Sequence, residues 1–358
     1  MIVDRIFWSL LIFVPISMLC QGLRAPDIVI FIASVGALIP LARYIGRATE
    51  SIALQSNHTI GGLMNATFGN LIELLIAIFA IAHSLTQPRL IEVVKASIIG
   101  SIIGNILLLI GLSMFFGGLK YSEQRFNRYS AGVSSTMLII CVVGMAIPSV
   151  YSRTTQTGVE HMNAVSGVVS GLLAAIYICG LVFALFTHRH LFDTSDELRA
   201  AKEKPEWTMH KAGIILLVSS ALAAYESELL VSRIEAATQF FHFTHVFVGA
   251  VIVAIVTNIA EKTNAILFAR KNNIDLSIEI GTSSAIQIAL FVVPILVFTS
   301  LLMGRPFLLD FSGFQLVAMV FAVMIVNSLA PDGRCNWLEG AQLIAVYLII
   351  ATAFYFIQ

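Results

Sequence analysis

Asn70-Leu71-Ile72-Glu73 lies inside a long apolar stretch, and Asn258-Ile259-Ala260-Glu261 repeats the pattern in the second half of the chain. A carboxylate near the centre of a membrane helix costs roughly 2.5–3.5 kcal/mol to insert, so an ionisable residue there reads first as a functional group. Two of them, each three residues after an asparagine, point to a duplicated site for a cation. A hard cation such as calcium takes about 6–8 oxygen ligands, carboxylates supplemented by carbonyls and water. Glu73, Glu261, Asn70, Asn258 and nearby backbone oxygens supply most of such a shell, and Gly69 eases the exposure of carbonyls beside Asn70. A close pair of carboxylates away from water also takes up protons when no metal is bound. Metal and protons then compete for one site, the minimum requirement for exchange. Two glutamates buried separately for packing is the bland alternative, and the duplication argues against it.

Each pattern is followed by a turn and then by a helix rich in small and polar residues. The first carries Ser97, Gly100, Ser101, Gly104 and Asn105, the second Gly281, Thr282, Ser283, Ser284 and Gln287. Glu50 and Glu228 precede the two patterns in the same order. Small residues let membrane helices approach closely, but the amides Asn105 and Gln287 ask for a further reason. Glu73 and Asn105 are equidistant from Arg89, and Glu261 and Gln287 are centred on Ile274. An antiparallel hairpin at each turn therefore places one carboxylate and one amide at similar depth.

The elements that must hold these residues follow from composition. The chain is 58% hydrophobic and 12% charged, where a soluble domain carries about 25% charged residues. Runs of about 20 apolar residues cross a ~30 Å hydrocarbon core as helices. Eleven are present, near 6–23, 27–43, 61–84, 93–117, 132–150, 164–187, 212–233, 246–268, 276–302, 312–329 and 340–357. The expected fold is an all-α polytopic membrane protein embedded in a lipid bilayer. The polar stretch 188–210 separates a leading helix (1–26) and a five-helix half (27–187) from a second five-helix half (211–358). An odd number of spans per half gives the halves opposite topology, and inverted repeats place a shared site near the midplane between them. In the linker, His188, His190, Asp193, Asp196, Glu197 and Glu203 have the chemistry to sense calcium or pH, although a solvated, partly helical connector is the simpler reading.

Charge placement sets orientation. Fourteen Lys and Arg fall on the side of the N-terminus and six on the other, with Lys262 inside a span. The positive-inside rule then puts the N-terminus in the cytoplasm and the C-terminus outside. The first apolar run has no small-x-small cleavage site behind it and reads as a span rather than a leader. Cys20, Cys141, Cys179 and Cys335 are scattered and form no CxxC pair, as expected of packing residues. No HExxH zinc helix and no G-x-S-x-G elbow occurs, so an enzyme is not expected, nor is a cofactor or a nucleic-acid partner. A homo-oligomer is compatible with the chain. A cation channel with a carboxylate filter is the rival class, separated from an exchanger by whether flux depends on an opposing gradient.

The stretch Gly61-Gly62-Leu63-Met64-Asn65-Ala66-Thr67-Phe68-Gly69-Asn70, ending in Glu73, resembles the first signature of the calcium/cation:proton exchanger (CAX) family, and Ala48-Thr49-Glu50 its preceding motif. The likeness continues through Phe116–Lys120, Glu123–Asn127, Ser227–Val231, Gln287–Pro294 and Asp332–Gly340, so that everything from Ala48 onward is covered. It implies eleven spans with inverted five-helix repeats, export of cytoplasmic calcium in exchange for protons, and Glu73 and Glu261 as the central carboxylates. It also implies supporting roles at Asn70, Asn258, Asn105 and Gln287, and a place in the cell (inner) membrane of a prokaryote. A sodium-coupled or monovalent-cation exchanger of the same superfamily is the second reading.

The second signature departs from the family's Pro-Ile-Val-Gly-Asn-Ala-Ala-Glu-His. Here it is Ala254-Ile255-Val256-Thr257-Asn258-Ile259-Ala260-Glu261-Lys262. A kink-forming Pro is gone, Thr257 brings a hydroxyl that can bond back to its helix or face the ion, and a group titrating near neutrality becomes a lysine. Ser101, Ser284, Thr257, Glu50, Glu228, Lys262 and Glu279 are therefore the coupling and gating candidates. Lys262 and Glu279 are equidistant from the Arg270-Lys271 turn, so a tight hairpin would pair them. The alternative is that Lys262 snorkels to the cytoplasmic interface.

Overall fold

The structure, a computed structural model, describes residues 2–56, 58–154, 158–188 and 205–357. The linker residues 189–204, with His190, Asp193, Asp196, Glu197 and Glu203, lie outside the described residues. The apolar runs become helices. Among the described residues eight are long and apolar enough to cross a membrane, or nine if Ile234–Phe241 and His245–Thr257, bent by 116°, form one broken span. Leu71–His83 and Gly313–Leu329 are shorter apolar helices.

Burial sorts the spans. Leu90–Gly118 is 83% buried and Ile274–Leu302 61%, whereas Arg5–Gly22 and His161–Thr187 are each 17% buried. The two buried spans are the ones with the small polar residues, and they form the centre of the molecule. Leu90–Ile103 packs against the π-helical turn Val248–Val253, and Gly249 and Gly100 make that crossing feasible. A Cβ at Gly100 would fall on the Ala250 backbone, and one at Gly249 would fall on the Val93 carbonyl. Two backbones thus meet where the first half crosses the second.

π-Helical turns recur where the polar residues stand: Gly104–Leu109, Val248–Val253 and Ile288–Val292. Such turns often accompany functional sites because the wider turn re-aims side chains. The long loops are tied down at both ends. At one end Gln124–Arg125 pairs antiparallel with Arg334–Cys335, with Gln124 opposite Cys335. The Gln124 amide also donates to the Ala269 carbonyl at 2.9 Å. At the other end the chain before Gly313–Leu329 is folded inward. Phe307, Leu309 and Phe311 are buried, their backbone N–H groups donate to Ser300, Ser166 and Ser149 at 2.8, 3.1 and 2.9 Å, and Lys95 pairs with Asp310.

Candidate functional site

Both N-x-x-E patterns sit at a break in a helix. His58–Phe68 stops, and Leu71–His83 starts after Asn70, whose φ and ψ are −108° and 23°. Ala254–Thr257 stops, and Ile259–Ala269 starts after Asn258, with φ −106° and ψ 13°. The two junctions thus have nearly the same backbone dihedrals. Neither asparagine side chain caps its own helix. Glu73 and Glu261 fall in the first turn of the new helices, where unsatisfied N–H groups and the helix dipole favour negative charge.

The freed amides reach across the molecule. Asn70 Nδ2 donates to Gln287 Oε1 at 3.0 Å, and Ser284 Oγ donates to Asn70 Oδ1 at 3.4 Å. Asn105 Nδ2 donates to Ser284 Oγ at 2.9 Å and to Asn258 Oδ1 at 3.4 Å, while Asn258 Nδ2 donates to Ser101 Oγ at 3.2 Å. Hairpin arithmetic grouped Asn105 with Glu73 and Gln287 with Glu261. Across the hairpins, the hydrogen bonds join the first half's asparagine to the second half's helix, and the reverse. Asn70, Asn105, Asn258, Ser101 and Ser284 are all buried.

The carboxylates are not satisfied in the same way. Ser101 and Asn258 stand beside Glu73, and Ser284 stands beside Glu261. Yet both carboxylate oxygens of Glu73 and Oε2 of Glu261 are buried with no hydrogen-bond partner among the described residues. Glu73 is 2% exposed. Both glutamates, Asn70, Asn258, Thr257, Ser283, Ser284 and Gln287 line one cavity of about 310 Å³.

Glu50 is exposed and lines the same cavity. Glu228 is also exposed but is not part of its wall. Glu279 is exposed and lines a different cavity of about 530 Å³, which shares Ser283 and Gln287 with the first. The expected Lys262–Glu279 pair does not form. Lys262 is buried, and its Nζ donates to Asn105 Oδ1 at 3.3 Å. It does not snorkel either, because the helix turns it inward, toward the buried span Leu90–Gly118. Thr257 resolves toward its helix: its hydroxyl donates to the Val253 carbonyl at 3.0 Å and accepts from Asn258 Nδ2 at 2.9 Å.

Sequence reasoning missed three features. Arg43 lines the cavity and donates to Asn264 Oδ1 at 3.3 Å. Arg47 pairs with Glu206 at 2.5 Å, and Trp207 stacks on Tyr44 with ring centroids 6.1 Å apart, so the end of the linker lies against a helix that lines the cavity. Glu226 is fully buried and accepts a hydrogen bond from Ser17 of the leading helix. Its signal is present, since Glu226-Ser227-Glu228 carries two carboxylates in one apolar run, but the family motif Ser227–Val231 contains only Glu228.

Broken helices that present paired carboxylates in a shared cavity are a carrier's architecture, and comparison with known proteins agrees. The family model described as sodium/calcium exchanger protein matches residues 27–186 and 211–356. The chain belongs to this family. Within it, the chain is 40% identical to a Ca(2+)/H(+) antiporter of Aphanothece halophytica, covering 99% of this chain and 97% of the relative. It is also 40% identical to the Ca(2+)/H(+) antiporter ChaA of Bacillus subtilis (strain 168), covering 98% and 99%. The solved structure of native YfkE superposes with a TM-score of 0.85 at 36% identity, covering 98% of this chain and all of that one. The sodium/calcium exchanger family member described here is thus a membrane transporter of the calcium/cation:proton exchanger group.

Proposed function

We propose that the chain is a secondary antiporter that exports Ca2+ or a related cation from the cytoplasm in exchange for protons, by alternating access at a site built from Glu73 and Glu261. One observation carries the reading: three carboxylate oxygens in one cavity are buried without a hydrogen-bond partner among the described residues. A buried polar atom left unpaired costs about 1–3 kcal/mol, more when charged. Two occupants remove that cost here. A hard cation is coordinated by the glutamates, with the Asn70, Asn258 and Gln287 oxygens on the cavity wall. A proton on a carboxylate oxygen turns an uncompensated charge into a neutral group. Because both occupants use the same oxygens, cation release and proton uptake are linked. The bacterial relatives named Ca(2+)/H(+) antiporters support calcium as the cation and the cell membrane of a prokaryote as the location.

The cavity runs from the two glutamates to Arg43, Arg47 and Glu50, which the charge bias assigns to the cytoplasmic end. At the opposite end the chain 307–311 is packed inward and latched by Lys95 and Asp310. On this reading the cavity faces the cytoplasm, as expected of an inward-facing state of an alternating-access carrier. The reading also holds eleven spans, with the halves 27–187 and 211–358 inverted about the site. It is supported by the matched helix breaks at Asn70 and Asn258 and by the two separate stretches that the family model matches.

In proteoliposomes holding a pH-sensitive dye, an outward Ca2+ gradient should drive proton uptake and an imposed pH gradient should drive Ca2+ against its own gradient. Flux that ignores the opposing gradient would mean a channel, and flux that requires sodium would mean a sodium-coupled relative. Topology has its own test. A cysteine placed at Ser195 should react only with reagents that reach the cytoplasm, and a tag after Gln358 should be accessible from outside. Labelling from the opposite faces would reverse the direction of transport.

A further inference from the structure

Lys262 follows Glu261 directly, at the position where the resemblance implies a histidine, and its buried position has a consequence for ion choice. Its Nζ donates to Asn105 Oδ1 at 3.3 Å. A carbon added at Gly104 would lie 3.9 Å from Nζ and 4.0 Å from Tyr347 Cε2. The ammonium therefore lies against Asn105, near Gly104 and the edge of Tyr347. Lys262 is absent from the wall of the cavity that holds both glutamates. Among the described residues it forms no ion pair within 4.0 Å, and it stands one residue from Glu261 on the same helix, Ile259–Ala269. It neither fills the cation position nor neutralises one glutamate by contact.

We propose that Lys262 is a tethered counter-cation that sets which ions this carrier accepts. The inference rests on the reading that Glu73 and Glu261 hold the transported ion. Two carboxylates alone match a divalent ion, giving a neutral loaded site. With a fixed ammonium beside them the site carries one net negative charge, so a monovalent ion gives the neutral complex and a divalent ion leaves a positive charge buried. The repulsion from the ammonium is proportional to the ion's charge, so a divalent ion feels twice what a monovalent ion feels at the same place. Lys262 thus shifts the balance toward sodium or potassium relative to a site with a neutral residue at this position.

The test compares wild type, Lys262→Gln, Lys262→Met and Lys262→Arg in proteoliposomes, measuring apparent affinities for Ca2+ and Na+ through cation-dependent proton movement. Wild type should respond to both ions. Lys262→Gln should raise the preference for Ca2+ over Na+ at least about tenfold, the sign being fixed by the charge dependence of the Coulomb term. Lys262→Arg, which keeps the charge, should stay near wild type. The ratio does not depend on how much protein is active, so a loss of folded carrier alone leaves it unmoved. Lys262→Met keeps an unbranched apolar stem and serves if the Gln variant fails to assemble. An unchanged ratio in the uncharged variants, or an equal shift in Lys262→Arg, overturns the proposal. If Glu73→Gln transports normally, the carboxylate reading has failed instead, and the two failures are thereby told apart.

Discussion

Glu73→Gln and Glu261→Gln each abolish cation-driven proton movement, while the proteins still insert and purify as well-folded carriers. The substitution keeps the size of the side chain and removes its charge, so it deletes a cation ligand and a proton acceptor together. Both oxygens of Glu73 and one of Glu261 have no hydrogen bond to lose among the described residues, which is why the fold should tolerate the change. Removing one partner of a buried charge pair in a binding site costs about 2–5 kcal/mol of binding, and every ~1.4 kcal/mol is a factor of ten in affinity. Binding should thus fall by about 30-fold or more. Asn70→Ala and Asn258→Ala should be milder, about tenfold in affinity, because each removes neutral contacts worth about 1 kcal/mol apiece. The measurement is proton movement against cation concentration, with melting in detergent as the folding control. Near-normal transport by either Gln variant would remove the site from these residues.

Gly100→Ala lowers the melting temperature of the detergent-solubilised carrier and reduces its monodisperse yield. In a helix, replacing Gly by Ala normally stabilises by up to about 1 kcal/mol. That sign should hold at Gly213, where an added Cβ meets nothing within 4 Å. It reverses at Gly100, where the Cβ would fall on the Ala250 carbonyl and Cα. The obstacle is backbone, so no side-chain tip can swing away, and overpacking of this kind costs about 1–3 kcal/mol. The pair of variants is decisive because the two effects have opposite signs. Equal melting of Gly100→Ala and wild type would mean that the crossing of Leu90–Ile103 with Val248–Val253 is looser than described.

The membrane class, the family and the paired glutamates were legible in the chain, each for a local reason. Apolar runs are defined by their length, and a lone charge in one stands out against its neighbours. Asn70 and Asn258 were legible because the pattern occurs twice. Glu226 was not, although it is buried deeper than Glu228, because the sequence contains no mark of which of two nearby carboxylates faces the Ser17 helix. The sequence allows Thr257 two orientations, and the packed helix decides for the Val253 carbonyl.

The direction of Lys262 shows the boundary most clearly. From the sequence it was a charge beside Glu261 with a candidate partner at the same hairpin depth, Glu279. Depth along a hairpin does not specify the rotation of either helix about its axis. In the structure that rotation turns Lys262 to Asn105 and leaves Glu279 exposed in another cavity. The same holds for the amides. Which asparagine meets which serine depends on how two halves of the chain dock, and Asn70 with Gln287 or Asn105 with Ser284 are contacts across that junction. By itself the sequence determined which residues must be kept from lipid, because that cost is local to each helix. Only the tertiary structure decided which of them share a cavity, which hold each other in place and which oxygens remain unpartnered, because those outcomes depend on relative helix rotation and on a backbone crossing that no single segment specifies.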